Sequence, residues 1–217
     1  MKISPAKENI LKKIRKALIH PTPLPFPQSE GHSSVFQRVQ QELEIEFAEQ
    51  FSQLQGKFVF CINSEELASG LQSLIRLNNW KNIYCCEDKL KSKFAKNTDI
   101  IFSAVDLGGC EAAVTSCEML IARTGSIVMS SFQQSGRTVS VYAPVHICIA
   151  YTRQLVNDIR EGLQILKDKY QDHLPSLITF ATGPSRTADI EKTLVVGVHG
   201  PKEVYVFLVD QEDAAIP

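Results

Sequence analysis

Thr182-Gly183-Pro184-Ser185-Arg186-Thr187-Ala188-Asp189-Ile190-Glu191 follows an apolar, strand-like run, Leu177 to Ala181, and precedes Val198-His199-Gly200-Pro201. Two helix-hostile residues, three hydrogen-bond donors and then a helix-compatible run give the layout of a ligand loop at a strand end. In an open α/β sheet such a position offers free backbone N–H groups and a helix dipole to an anion. One reading therefore puts a phosphate or carboxylate on the N–H groups from Ser185 onward. Ser185, Arg186 and Thr187 complete that cradle, and Gly183 permits close approach. The other reading is an ordinary turn in which Thr187 caps a short helix and Arg186 pairs with Asp189 or Glu191. Asp189 is also a candidate catalytic or hydroxyl-binding carboxylate.

Downstream, His199 stands before Gly200-Pro201 at a strand end, where ligand loops gather. Thr193 to Val198 and Glu203 to Val209 are expected as paired terminal strands, by hairpin or by crossover. Upstream, a helix is expected from Thr152, with Leu155, Ile159, Leu163, Leu166 and Tyr170 on one face. Val145 to Ala150 is a strand in which His146 is a hydrogen-bonded core histidine.

In the middle third, Thr115 is expected to cap a helix over Ser116 to Ala122, with Cys110 to Val114 before it as a strand. Glu118 then sits one turn into that helix, either in a partly enclosed site with a raised pKa or as a favourable acid near a helix N-terminus. Arg123-Thr124-Gly125-Ser126 turns from helix to the strand Ile127 to Ser130, placing hydroxyls on either side of Gly125. Earlier still, Lys57 to Ile62, a helix capped by Ser64, Asn82 to Cys85, a polar helix over Glu87 to Ala95 and Asp99 to Ser103 carry a βαβ rhythm. That rhythm predicts an α/β fold with a mainly parallel open sheet flanked by helices.

Residues 1–32 are expected as a helical arm from Ser4-Pro5, with Ile10, Ile14, Ala17 and Leu18 in one stripe, followed by a stiff connector with Pro21, Pro23, Pro25 and Pro27. Residues 33–217 are the α/β domain, opening on a helix with Phe36, Val39, Leu43, Phe47, Phe51 and Leu54. The 217 residues carry 22% charged residues and a net charge of −1, which does not point to nucleic acid or a membrane surface as the main partner. No secretory-type leader is read at Met1 to His20, so a cytoplasmic location is expected. The six cysteines show no disulfide-framework or metal-site spacing and read as reduced thiols. Gly-x-Gly-x-x-Gly, the Walker lysine loop and Gly-x-Ser-x-Gly are all missing.

Several motifs, taken in order, resemble the LUD (lactate utilization) domain family of lactate utilization protein C. They are Val114-Thr115-Ser116-Cys117-Glu118, Ile121 to Ser126, Pro144-Val145-His146-Ile147, Gly183 to Glu191 and Gly197-Val198-His199-Gly200-Pro201. The family pattern usually has an acid where this chain carries Arg123. The resemblance implies the fold of the NagB/RpiA/CoA transferase-like proteins. It also implies a role in oxidising L-lactate to pyruvate beside separate iron–sulfur subunits. On that basis the chain is a ligand-binding component for a small anionic metabolite. Thr124, Gly125, Gly183, Ser185, Arg186, Thr187 and Gly200 line its pocket, and Glu118, Asp189 and His199 are its candidate catalytic groups. The alternative is a free-standing transferase or isomerase using Glu118 or Asp189 as nucleophile or base. A homo-oligomer is compatible with either, and the sequence does not name a cofactor.

Overall fold

The computed structural model describes residues 5–19, 41–97, 100, 102, 106–190, 193–197 and 199–210. The chain divides into two units, Met1–Arg38 and Val39–Pro217. In the first, Pro5–Ile19 forms helix α1, with proline at the first position, where no N–H is needed. Its Ile10 and Ile14 are exposed.

The second unit opens with α2 (Leu43–Gln53), β1 (Lys57–Cys61), α3 (Ser64–Asn78), β2 (Ile83–Tyr84), α4 (Asp88–Asn97) and β3 (Ala112–Thr115). Then come β4 (Met119–Ile121), β5 (Ser126–Ser130), α5 (Val139–Tyr142), β6 (Val145–Tyr151), β7 (Leu155–Val156) and α6 (Ile159–Tyr170). It closes with β8 (Ile178–Ala181), β9 (Arg186–Ile190), β10 (Thr193–Val196) and β11 (Glu203–Val209).

The expected α/β architecture is present. A five-stranded sheet in the order β1-β11-β6-β3-β2 is parallel throughout. Its inner strands β6 and β11 are apolar along almost their whole length and buried, as strands covered on both faces must be. One face packs Ile147, Ile149 and Phe207 against Leu67 and Leu71 of α3 and Phe94 of α4. The other packs Cys148, Ala150, Val206 and Leu208 against Phe47 and Phe51 of α2 and against Leu120 and Ile127. Those last two belong to a second, four-stranded mixed sheet, β7-β4-β5-β8. Its far side is closed by Leu166 and Ile159 of α6.

Three expected elements differ. Ser116 to Ala122 is not a helix: Met119–Ile121 forms β4, antiparallel to β5 and parallel to β7. A short apolar run fits either period, and pairing in the buried small sheet decides for the strand. The helix expected from Thr152 begins at Ile159, because Asp158 caps it by accepting from the Arg160 N–H at 3.0 Å, while Leu155–Val156 pairs with β4. No helix follows the Gly183-Pro184 loop; Arg186–Ile190 is a strand that pairs antiparallel with β10. The terminal strands are therefore not partners of one another: β10 joins β9, and β11 lies between β1 and β6. Asn63, rather than Ser64, caps α3 through the Glu66 N–H. The expected connector, Phe36 and Val39, and most of Asp99 to Ser103 lie outside the described residues.

Gly125 turns β4 into β5 at φ +58°, and a Cβ there would meet the Phe51 nitrogen of α2 at 2.7 Å. Gly136 has the same backbone sign, φ +60°, but nothing closer than 4.0 Å. Gly136→Ala is expected to cost about 1 kcal/mol, the left-handed penalty alone. Gly125→Ala adds a backbone clash and is expected to cost about 3 kcal/mol or more. Urea unfolding of the two variants checks this, and equal losses would mean that the α2 contact is not close-packed.

Candidate functional site

Glu118 precedes β4, and its backbone N–H donates to the Val128 carbonyl at 2.8 Å. Its side chain is only 3% exposed. Ser130 Oγ and Tyr170 OH donate to Oε1 at 2.5 and 2.7 Å, and Lys169 Nζ donates to Oε2 at 2.8 Å. Burial pushes the carboxyl pKa up, but the bonds from Lys169, Ser130 and Tyr170 outweigh it, and the group titrates below its ordinary 4.5. The raised pKa considered from sequence is therefore reversed. With three donors taken up, this carboxylate ties the start of β4, the end of β5 and the end of α6 together. Ser130, Lys169 and Tyr170 escaped the sequence reading because their meeting depends on strand pairing.

The C-terminal end of α2 gathers a second set of expected site residues. Gly125 packs on Gln50 and Phe51, and Gly183, at φ +83°, packs against Leu54 with 2.9 Å from its ideal Cβ to the carbonyl oxygen. Arg186 Nη2 donates to that same Leu54 carbonyl at 2.8 Å. Both glycines thus serve close approach of α2. Beside them runs a hydroxyl chain, Thr124 Oγ1 to Ser126 Oγ at 2.7 Å and Ser126 Oγ to Thr182 Oγ1 at 2.8 Å. Glu118 bonds to Ser130, at the opposite end of β5 from Ser126, so about 13 Å of strand separates it from this loop. The structure does not bring Glu118 to the Gly183 loop.

The two Gly-Pro loops do meet. The Ser185 N–H donates to the Pro201 carbonyl at 3.0 Å, and the Gly197 N–H donates to the Ser185 carbonyl at 3.0 Å. A Cβ on Gly200 would lie 2.8 Å from that of Ser185. Next to this junction a cleft of about 390 Å³ is lined by Val141, Tyr142, Pro144, His199, Gly200 and Lys202. Gly197, at φ +80°, leaves room for the Lys202 stem that crosses it. The Lys202 and Glu203 N–H groups both donate to the Pro144 carbonyl, which fixes the cleft at the amino ends of β6 and β11. Lys202 was overlooked in the sequence; a cation directly after Gly200-Pro201 was the available signal.

Asp189 and Thr187 lie in β9, and their side chains are outside the described residues. Arg123 stands 2.7 Å from Asp158 through Nε, an ion pair without hydrogen-bond alignment. It joins the β4–β5 turn to the cap of α6. His146 is fully buried, with Nε2 2.8 Å from Thr115 Oγ1, and burial lowers its pKa to about 4. All six cysteines are free thiols. Burial raises the pKa of Cys61 to about 11 and that of Cys85 to about 12. Among the described residues no helix is long and apolar enough to cross a membrane.

The LUD domain family profile matches residues 45–209. A "Lactate utilization protein C" of Anoxybacillus flavithermus is 31% identical over 163 residues, covering 69% of this chain and 73% of its own. A protein of the same name from Bacillus licheniformis is 40% identical over 101 residues, covering 45% of this chain and 42% of its own. The chain thus spans less than half of the second relative's length. A crystal structure of a DUF162 family protein from Deinococcus radiodurans superposes with a TM-score of 0.58 at 20% identity, covering 77% of this chain and 96% of that one. It shows the same fold.

Two pH dependences follow from the buried groups. Glu118 has a folded pKa below its ordinary value, so its stabilisation is present above about pH 4.5 and is lost as pH falls through the folded value. Glu118→Gln is expected to lose about 2 kcal/mol at pH 7, with the gap to the parent narrowing below pH 4.5. His146, neutral when folded, contributes stability above pH 6.5 that drains away as pH falls towards 4. Urea unfolding of His146→Gln across that window should show a flatter pH profile than the parent. An unchanged slope would mean that His146 is protonated in the fold.

Proposed function

The chain belongs to the LUD domain family, and from that premise we propose that it is a ligand-binding component of L-lactate utilization, holding a small carboxylate in the cleft beside His199. The observation that carries the reading is the junction of the two Gly-Pro loops, which puts His199 and Lys202 on one open cleft. An ammonium and an imidazole are donors suited to a carboxylate. Val141 and Pro144 supply apolar wall, and Tyr142 a hydroxyl, so the cleft offers a small 2-hydroxy or 2-keto acid a contact for each of its parts. Ser185, through its backbone bonds to Pro201 and Gly197, and Arg186, through Leu54, position the loops behind it.

Oxidising lactate to pyruvate releases two electrons and two protons, which need an acceptor. In this reading separate iron–sulfur subunits in the cytoplasm take the electrons, and this chain presents or retains the organic acid. The three donors on Glu118 support a structural role for it over that of nucleophile or base.

Calorimetric titration with L-lactate and with pyruvate tests the assignment. Lys202→Ala and His199→Ala are each expected to weaken binding about tenfold, the worth of one charge-assisted hydrogen bond in a half-open site. Lactamide, the neutral analogue, is expected to bind more weakly than lactate. Binding unaffected by both substitutions, or equal affinity for lactamide, overturns the cleft as a carboxylate site.

A further inference from the structure

Helix α1 (Pro5–Ile19), in the unit Met1–Arg38, carries Lys7, Lys12, Lys13, Arg15 and Lys16 against one acid, Glu8. The balance of the whole chain conceals this: five of its 23 basic residues and one of its 24 acidic ones lie in α1, which leaves 18 against 23 elsewhere. At about 100° per residue, Ile10, Leu11, Ile14 and Ala17 fall within an arc of about 120°. Ile10 and Ile14 are 57% and 50% exposed, and among the described residues none of α1 joins a buried apolar cluster. Lys13 borders the arc on one side and Arg15 on the other, while Lys12 and Lys16 lie on the far face. Lys7, in the first turn, is the only cation on the arc itself.

Exposed apolar side chains bordered on both sides by long cationic stems are the layout of a helix that lies in a lipid–water interface. The stripe enters the acyl boundary, and the lysine and arginine stems extend from it to the level of the phosphates. Fifteen residues span about 22 Å, too short and too charged to cross a bilayer, so the helix axis follows the surface. An acidic groove on a protein is a different occupant, and it is usually read by large anchors that fill pockets. No aromatic residue occurs in α1 to serve as one. A lipid surface asks only for a continuous apolar stripe and for charge. The run Lys12-Lys13-Ile14-Arg15-Lys16 supplies four of the five cations within little more than one helical turn.

We propose that α1 is an interfacial anchor that places the chain reversibly on an anionic phospholipid surface. Ile10, Leu11 and Ile14 enter the boundary, and Lys12, Lys13, Arg15 and Lys16 meet the lipid phosphates. The anchor uses no residue of the cleft beside His199 and stands whether or not that cleft holds a carboxylate.

Co-sedimentation of the full chain with vesicles tests it. Vesicles of about 70% phosphatidylcholine and about 30% phosphatidylglycerol are expected to bind the chain at least about tenfold more tightly than pure phosphatidylcholine. Raising NaCl from about 0.1 to about 0.5 M should weaken that binding about tenfold. Lys12→Glu/Lys16→Glu should weaken it at least about tenfold. Ile10→Gln/Ile14→Gln, which leaves the charge unchanged, should weaken it to a similar degree by removing the apolar stripe. Circular dichroism and urea unfolding check that the body of each variant stays folded. Equal binding to neutral vesicles, or none to the anionic ones, overturns the proposal. Full binding by the glutamine variant also overturns it, because charge alone would then be read, as an acidic protein surface reads it.

Discussion

The fold depends on one constraint: β6 and β11 are apolar on both faces, so the parallel sheet needs a cover on each side. Helices α3 and α4 supply one, as βαβ crossovers do. The other is built from α2 together with a small mixed sheet, joined through Phe47, Phe51, Leu120 and Ile127. That second cover has consequences beyond burial. Once α2 is seated, its C-terminal turn becomes the surface on which the β4–β5 turn and the Gly183 loop are moulded, through Phe51 and Leu54. A side chain at Gly125 would meet this packing in addition to the left-handed backbone it would have to adopt.

Charge is used structurally in the same layer. Glu118 lies where the ends of β4, β5 and α6 converge, and a carboxylate there could not remain buried without its three donors. Arg123 plays the matching part at the opposite end of α6, pairing with the carboxylate that caps that helix.

The cleft beside His199 lies at the amino ends of β6 and β11, whereas open parallel sheets usually bind ligands at the carboxyl ends of their strands. The reason is local. In sequence the β9–β10 pair lies between the small sheet and β11, and the bond from the Ser185 N–H to the Pro201 carbonyl brings the loop after β8 against the entry to β11. The Anoxybacillus and Bacillus relatives carry the lactate-utilization name, and the structural relative shares the fold; the cleft is the feature on which the two kinds of likeness can be joined by experiment.

Much of the frame was legible in the amino-acid sequence: the parallel sheet from its apolar runs and βαβ rhythm, β1, β2, β6 and β11 in place, the amphipathic α3 and α6, the core histidine, and the family from its ordered motifs. These are local properties, set by residue periodicity and chain chemistry. Tertiary structure alone decided that Met119–Ile121 and Arg186–Ile190 are strands, because runs of three to five residues satisfy either backbone until a partner strand claims their hydrogen bonds. It alone decided that Glu118 is held ionised away from the Gly183 loop, and that Lys202 lines the cleft beside His199. Residues distant in the chain become neighbours only when two sheets pack, and no periodicity along the sequence records that distance.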